Sequence, residues 1–359
     1  MAYTTIDDPS AYFHTQLYTG TGSNQSITND GNSDLQPDWV WVKDRSAAND
    51  HKLTDSNRLS SGNPTITLEA NTNGAEYDDA DPAATTAFNS DGFTVGTNGN
   101  YNTNNNNYVA WQWKANGGTT TSNGASGDIK ASVTQREDTA KFAICTYTGT
   151  GINAGQSHRV NHGLGTTPHV MLFKSRGAAG DWVVYHHKNT DAPETDYLVL
   201  NSDAATVDSA NKFNDTAPNT SYATIGGDDN ISSGTMVLYS FAEVQGYSKF
   251  GSYKGNNNTD GTFVYLGFKP AFLVLKRGSA VNHWHLFDNK RDTDNVIQKH
   301  HGADYNNSEG SNTWCDFLSN GFKLRTTLVG VNGDGDDYVY MAFAEHPFVS
   351  SEGVPVTAR

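Results

Sequence analysis

Three lysine–arginine couples stand at the same place behind three similar apolar runs: Lys43/Arg45, Lys174/Arg176 and Lys276/Arg277. Paired cations can hold an anionic ligand. They can equally cap a loop or pair with nearby acids such as Asp44, Asp181 or Asp288. Recurrence in all three places fits a requirement of the fold better than a shared anion surface. Asp334, Asp336 and Asp337 follow Asn332-Gly333, and alternating carboxylates in a tight loop can ligate Ca²⁺. The bidentate Glu of a calcium loop is missing, and Asn-Gly followed by Asp-Gly reads as a hairpin turn. His283 and His285 flank Trp284, a spacing that puts them on one face of a strand and could begin a zinc site. The other runs lack this pattern, and the adjacent pairs His186-His187 and His300-His301 point opposite ways on a strand, so surface or interface histidines are expected.

Nucleophilic chemistry has no anchor. There is no Gly-x-Ser-x-Gly turn and no glycine-rich phosphate loop ending in Lys-Ser/Thr. The 39 acids single out no pair for glycoside cleavage. The expectation is therefore no catalytic residue, no cofactor-binding residue and no metal ligand, in a protein that is not an enzyme. Cys145 and Cys315 lie at non-equivalent places and read as isolated thiols.

The elements that carry these residues repeat. Pro37, Pro168 and Pro270 each open an apolar run that ends on the lysine six places on. A Tyr-x-Gly element precedes each proline: Tyr18-Thr19-Gly20, Tyr147-Thr148-Gly149 and Tyr253-Lys254-Gly255. Trp182 and Trp284 follow their prolines by fourteen places, where the first copy has His51. Aromatic strands close each copy at Tyr108–Trp113, Met236–Phe241 and Tyr338–Phe343. Phe88-Asn89-Ser90-Asp91-Gly92-Phe93 matches Phe317-Leu318-Ser319-Asn320-Gly321-Phe322, and the second copy lacks this element. Ordered self-similarity of this kind marks an internal triplication.

Each proline marks a strand entrance, because proline cannot donate to a ladder. The runs after it are apolar at every position, which predicts burial on both faces. The lysine then marks where the strand re-enters solvent. A short turn and a second strand complete a hairpin. Trp39/Trp41 and Trp111/Trp113 sit at alternate positions, so each pair shares one face. Core burial is the expected fate, and no sugar site is assigned to them. Helical periodicity is weak throughout. With 35 Gly, 17 Tyr, 16 Phe and 7 Trp, short strands joined by many turns are predicted. The fold class is all-β: three tandem antiparallel β-sandwich domains of jelly-roll or lectin-like type. The expected boundaries are an N-terminal arm at 1–11, repeats at 12–115, 141–246 and 247–348, a Gly/Ser/Thr-rich linker at 116–140, and a tail at 349–359. Repeats two and three almost abut and are expected to pack directly. Asn100–Asn107 reads as a solvated hairpin loop.

The net charge of −15 disfavours nucleic acid and anionic membranes as partners. No run of about twenty apolar residues is present to form a membrane-spanning helix. The first eight residues have neither the basic nor the apolar region of a secretory signal. Reduced thiols fit synthesis in a cytoplasm.

Several phrases carry a resemblance: Asp8-Pro9-Ser10-Ala11-Tyr12-Phe13, Leu17-Tyr18-Thr19-Gly20-Thr21-Gly22, Leu35-Gln36-Pro37-Asp38-Trp39-Val40-Trp41-Val42-Lys43, Tyr108-Val109-Ala110-Trp111-Gln112-Trp113-Lys114 and Gly353-Val354-Pro355-Val356-Thr357-Ala358-Arg359. Over essentially its whole length the chain resembles repeat-containing virion structural proteins of marine tailed bacteriophages, of tail-associated or decoration type. The resemblance implies a virion protein made in a host cytoplasm. Its partners would be other virion proteins, copies of itself and host-surface glycan. It does not say which part of the virion; the expected part is a tail fibre, tail tip or other receptor-contacting component, with a capsid decoration or tail-shaft subunit as the alternative and a polysaccharide depolymerase as a third reading. The chain has neither coiled-coil heptads nor Gly-x-y tracts, which weakens the long-fibre version. No catalytic residue is implied.

Overall fold

A computed structural model describes residues 2–79, 84–151 and 155–356. The protein is nearly all antiparallel β-sheet. Helix is confined, among the described residues, to four single turns (Gly99–Asn102, Ala210–Phe213, Asp229–Ser232, Val329–Asn332) and one 3₁₀ turn at Pro9–Ala11. None of these is long and apolar enough to cross a membrane.

Three large sheets dominate. In the first, Asn107–Trp113 lies between Phe13–Thr19 and Trp39–Asp44, and Lys52–Asp55 pairs on the far side of Trp39–Asp44. In the second, Ser233–Phe241 lies between Phe142–Thr150 and Val170–Ser175, followed by Val183–His186. In the third, Asp337–Pro347 lies between Ser248–Lys254 and Phe268–Arg277, followed by Trp284–Asp288. The register agrees as well. Tyr18, Tyr147 and Tyr253 pair with Tyr108, Met236 and Tyr338, while Trp39, Val170 and Phe272 pair with Trp113, Phe241 and Phe343. A smaller sheet covers the outer face of each large one. In each unit its strands include the second and the next-to-last, paired as Gln25–Ile27 with Gly92–Val95, His158–Asn161 with Tyr222–Ile225, and Phe263–Tyr265 with Gly321–Leu324.

The cores follow from this layering. Each large sheet and its cover enclose a separate apolar cluster, centred on Val40 and Phe93 in the first unit, Phe173 and Ile225 in the second, and Leu275 and Phe322 in the third. The opposite faces of all three large sheets meet in one shared core. There the Trp39 ring stacks on Tyr239 at 4.4 Å and packs on Trp113 at 4.5 Å, and Phe13 stacks on Phe272 and Phe343. The apolar runs are therefore buried on both sides, as their continuous pattern predicts, and all four paired tryptophans lie in the shared core. The units are not beads on a string. They are three walls of one interior.

The expectations for the linker and for the lysines need correction, and both ends of the chain are tied down. The stretch 116–140 is not a free linker. Ser132–Glu137 pairs with Phe142–Thr150 and extends the second sheet, with Thr121–Asn123 outside it. Ile129–Lys130 joins the second unit's small sheet beside His158–Asn161, at the edge opposite to the one that the Phe…Gly-Phe hairpin extends in the other units. The arm is docked: Ile6 belongs to the shared core, and the Tyr3 hydroxyl donates to the Gly267 carbonyl. Lys43, Lys174 and Lys276 do not re-enter solvent, for all three are fully buried. Of the tail, residues 357–359 lie outside the described residues, and Asp7 accepts the Ser351 N–H at 2.7 Å.

The Tyr-x-Gly element has a mechanical cause. The tyrosine hydroxyls of Tyr18, Tyr147 and Tyr253 donate to the carbonyls of Tyr101, Ile231 and Val331, at 2.6–2.7 Å, in the short helical turn before each closing strand. The glycine two places on lies against the backbone just past that hydroxyl's partner. A Cβ on Gly20, Gly149 or Gly255 would sit 2.1–2.2 Å from a backbone carbonyl oxygen. A backbone cannot yield as a side chain can, so Gly149→Ala is expected to cost at least ~2 kcal/mol in urea unfolding. Gly151→Ala, whose Cβ meets nothing within 4 Å, should cost about 1 kcal/mol through its positive φ alone.

Candidate functional site

The three walls meet along three seams, and the buried lysines lie in them. Lys43 Nζ donates to the carbonyls of Asp44, Ala47 and, across a seam, Asn306. Lys174 donates to Ser175 and, across the next, Asn73, and Lys276 to Asn282 and, across the third, Asp203. Burial lowers each ammonium to about 8. The seams form a closed cycle: the third unit's loop lies on the first, the first's on the second, and the second's on the third. The indoles that follow the lysines repeat this order, with Trp182 donating to Glu69 and Trp284 to Val199, both at 2.8 Å.

Two seams are closed by a charge network of the same design. At the first-to-second seam Asp55 and Arg58, both fully buried, pair at 2.6 Å. Arg58 reaches Glu76 at 3.2 Å, and Arg176 of the neighbouring unit binds the same Glu76 at 2.9 Å. The Glu76 N–H donates to the Arg176 carbonyl. Burial opposes the Arg58 charge, and Asp55, Tyr239 and Glu76 overcome it, so the guanidinium is held above its usual range. At the third-to-first seam Asp288 and Arg291 pair at 2.6 Å, again fully buried. Arg291 approaches Glu309 at 3.6 Å, Arg45 clamps Glu309 through two bonds at 2.7 and 3.0 Å, and the Glu309 N–H donates to the Arg45 carbonyl. Trp111 Nε1 donates to Asp288 at 3.1 Å, and the Arg291 guanidinium lies over the Trp111 ring.

The second-to-third seam has none of the four charged residues. His186 and Asn189 stand where the register puts Asp and Arg, with Val170 pairing His186 as Trp39 pairs Asp55. Thr206 stands in place of the glutamate, its N–H donating to the Gly278 carbonyl. Gly278 thus occupies the place of Arg45 and Arg176. In this unit the arginine comes one residue earlier, and a one-residue slip turns a strand side chain to the other face. Arg277 accordingly pairs with Asp336 of its own unit at 2.7 Å. The seam is held instead by neutral bonds. His186 Nε2 donates to the Tyr340 carbonyl and His187 Nε2 to that of Phe250.

A cleft of about 870 Å³ opens here. Asn189, Thr206, Gly278 and Val339 are among its lining residues. Lys188, Thr190 and Asp191 line it from the second unit, and Ser252, Lys254, Ser279 and Asp337 from the third. Asn189 Oδ1 accepts the Thr206 hydroxyl at 2.7 Å, while its buried Nδ2 has no acceptor among the described residues.

The residues singled out from sequence are scattered over the molecule. Asp336 and Asp337 are spent on Arg277 and Lys254. His283 turns to Asp304 at 2.7 Å, whereas His285 is buried against Trp314. No group of three or more His, Cys, Asp or Glu is placed to hold a metal ion among the described residues. Cys145 and Cys315 are free and buried in different units, and burial pushes the Cys145 thiol up to about 12. Of the network acids only Asp288 was named from sequence, and Asp55, Glu76 and Glu309 were missed although a signal existed. Asp55-x-x-Arg58 and Asp288-x-x-Arg291 are each followed, eighteen places after the arginine, by Glu76 and Glu309.

The third-to-first seam also carries an acid-sensitive element. His51 and His301 pack edge to face at 6.2 Å. Trp41 Nε1 donates to His51 Nδ1, which needs a neutral ring. Burial holds both histidines well below their usual range; Lys43 reinforces this at both, and Arg291 does so too. The folded state therefore refuses protons that the unfolded chain accepts below about pH 6.5. The histidines' contribution is full above that pH and falls below it, by about 1.4 kcal/mol per pH unit for each such histidine. His186 and His285, held by burial at about 3, add to the slope. The three buried lysines, at about 8, add their own pH dependence above about pH 7, where stability rises as they lose their protons. The thermal midpoint is therefore expected to be nearly level from pH 7 to 6.5 and to drop steadily by pH 5.

No curated protein and no solved structure matches the chain. One family model does, under the description "Domain of unknown function (DUF7483)", over residues 8–347. That span crosses all three walls and all three seams without a break, and the chain accordingly belongs to the DUF7483 family.

Proposed function

We propose that this protein is an internal triplication folded into one pseudo-threefold ring, and that the ring is a bacteriophage virion structural component contacting the host receptor at a tail tip or short fibre. The observation that carries the reading is the closed cycle of seams. Equivalent lysines reach equivalent loops in the order third to first, first to second, second to third. Shared strand order, register and Tyr-x-Gly geometry support descent of the three units from one ancestor. The nested pairing of first strand with last and second with next-to-last supports jelly-roll wrapping, although the third strand pairs with the fourth as a simple hairpin. A threefold body fits the symmetric assemblies that virions build. The partners would be other virion proteins, further copies of the chain and host-surface glycan, without nucleic acid, membrane insertion or catalysis. A capsid decoration is the second reading, favoured by the acidic charge of −15, which suits dense packing.

The test is location. Antibody–gold labelling of purified particles in electron microscopy should mark the tail end. Label on the head would replace the receptor reading with decoration, and particles without label would overturn both.

A further inference from the structure

We propose that the open second-to-third seam is a binding site for a neutral oligosaccharide. The comparison between seams carries the inference. Where the other two are filled by two arginines and two carboxylates, this one has His186, Asn189, Thr206 and Gly278. Three of these positions, Asn189, Thr206 and Gly278, carry smaller uncharged residues than the arginines and glutamates of the other seams, and all three line the 870 Å³ cleft. That is within the volume range of small-ligand sites. Simple decay of a seam would leave a collapsed or mispaired contact. Here the backbone bond between Thr206 and Gly278 is kept, as is the lysine clamp to Asp203.

The lining selects the ligand class. Lys188 and Lys254 are balanced by Asp191 and Asp337, so neither an anion nor a cation is favoured. The hydroxyls of Thr190, Thr206 and Ser279 donate within the protein, to Asp196, Asn189 and Asp336, and so turn acceptor lone pairs toward the hydroxyl protons of a polyol. The Asn189 Nδ2 is a buried donor without an acceptor among the described residues, and a ligand hydroxyl would supply one. Tyr338 touches the cleft but is itself buried, so binding rests on hydrogen bonds rather than ring stacking and is expected to be weak for one site. The site deepens the receptor-contact reading and rests on it for biological role alone, because binding is measured on the purified chain.

The test uses saturation-transfer NMR with neutral trisaccharides of glucose, galactose, mannose and N-acetylglucosamine, with 3′-sialyllactose and inorganic phosphate as anionic probes. At least one neutral trisaccharide should bind saturably below about 10 mM. The Gly278→Arg/Thr206→Glu double variant, which rebuilds the clamp of the other seams, should weaken it at least about tenfold. Asn189→Leu, which leaves every seam bond but one in place, should weaken it similarly if the double variant does not fold. Binding of an anionic probe alone, unaltered binding in both variants, or no saturable neutral ligand would each overturn the proposal. Tail-end gold label with no sugar binding would sink this inference and leave the structural one standing.

Discussion

Arg291→Met and Arg58→Met should each destabilise the protein by about 3–5 kcal/mol, the cost of stranding a buried carboxylate without its partner. Asp288 and Asp55 are fully buried in these pairs, so water cannot replace the guanidinium. Each arginine also donates to a backbone carbonyl, Leu286 or Leu53, and that bond would be lost as well. The decisive control lies in the third seam. Asn189→Met alters the equivalent position where no carboxylate is buried, and should cost less than about 1 kcal/mol. Urea titrations of the three variants would settle the matter. Equal costs at all three positions would mean that the networks are passengers.

A second large effect is expected at the centre. Trp39→Ala removes a ring that touches the first unit through Trp113 and the second through Tyr239, Phe142 and Phe241. Loss of a buried aromatic of this size costs about 3–5 kcal/mol. The consequence should not be confined to one wall, because the shared core has no internal boundary. Scanning calorimetry of wild type and variant should each give one transition, with calorimetric and van't Hoff enthalpies in agreement. Three resolved transitions, or a folded fragment 141–246 expressed alone, would show that the walls stand independently.

Much of this architecture is written in local pattern. The apolar runs, their hairpins and the aromatic closing strands could be placed because continuous burial and turn chemistry are short-range signals; proline as strand entrance holds for Pro37 and Pro168, whereas Pro270 lies at a bulge inside Phe268–Arg277. The shared face of Trp39 and Trp41 followed from alternation alone. What escaped is long-range. A lysine after an apolar run looks like a return to water, and nothing near Lys43 in sequence announces that the Asn306 carbonyl waits across a seam. The segment 116–140 has linker composition, yet its small residues serve as well for edge strands, and only a partner sheet distinguishes the two. The open seam was half visible. Lys276-Arg277 differs from Lys43-Asp44-Arg45 by one position, a detail without meaning until the register shows which face each arginine takes.

One chain builds all three junctions, and this frees each to follow its own course. In a ring of identical separate subunits any substitution would be made three times over, so a junction could not surrender its charges without the whole ring surrendering them. Here two junctions keep the body shut while the third is at liberty to change, and specialisation at one corner need not be paid for at the others.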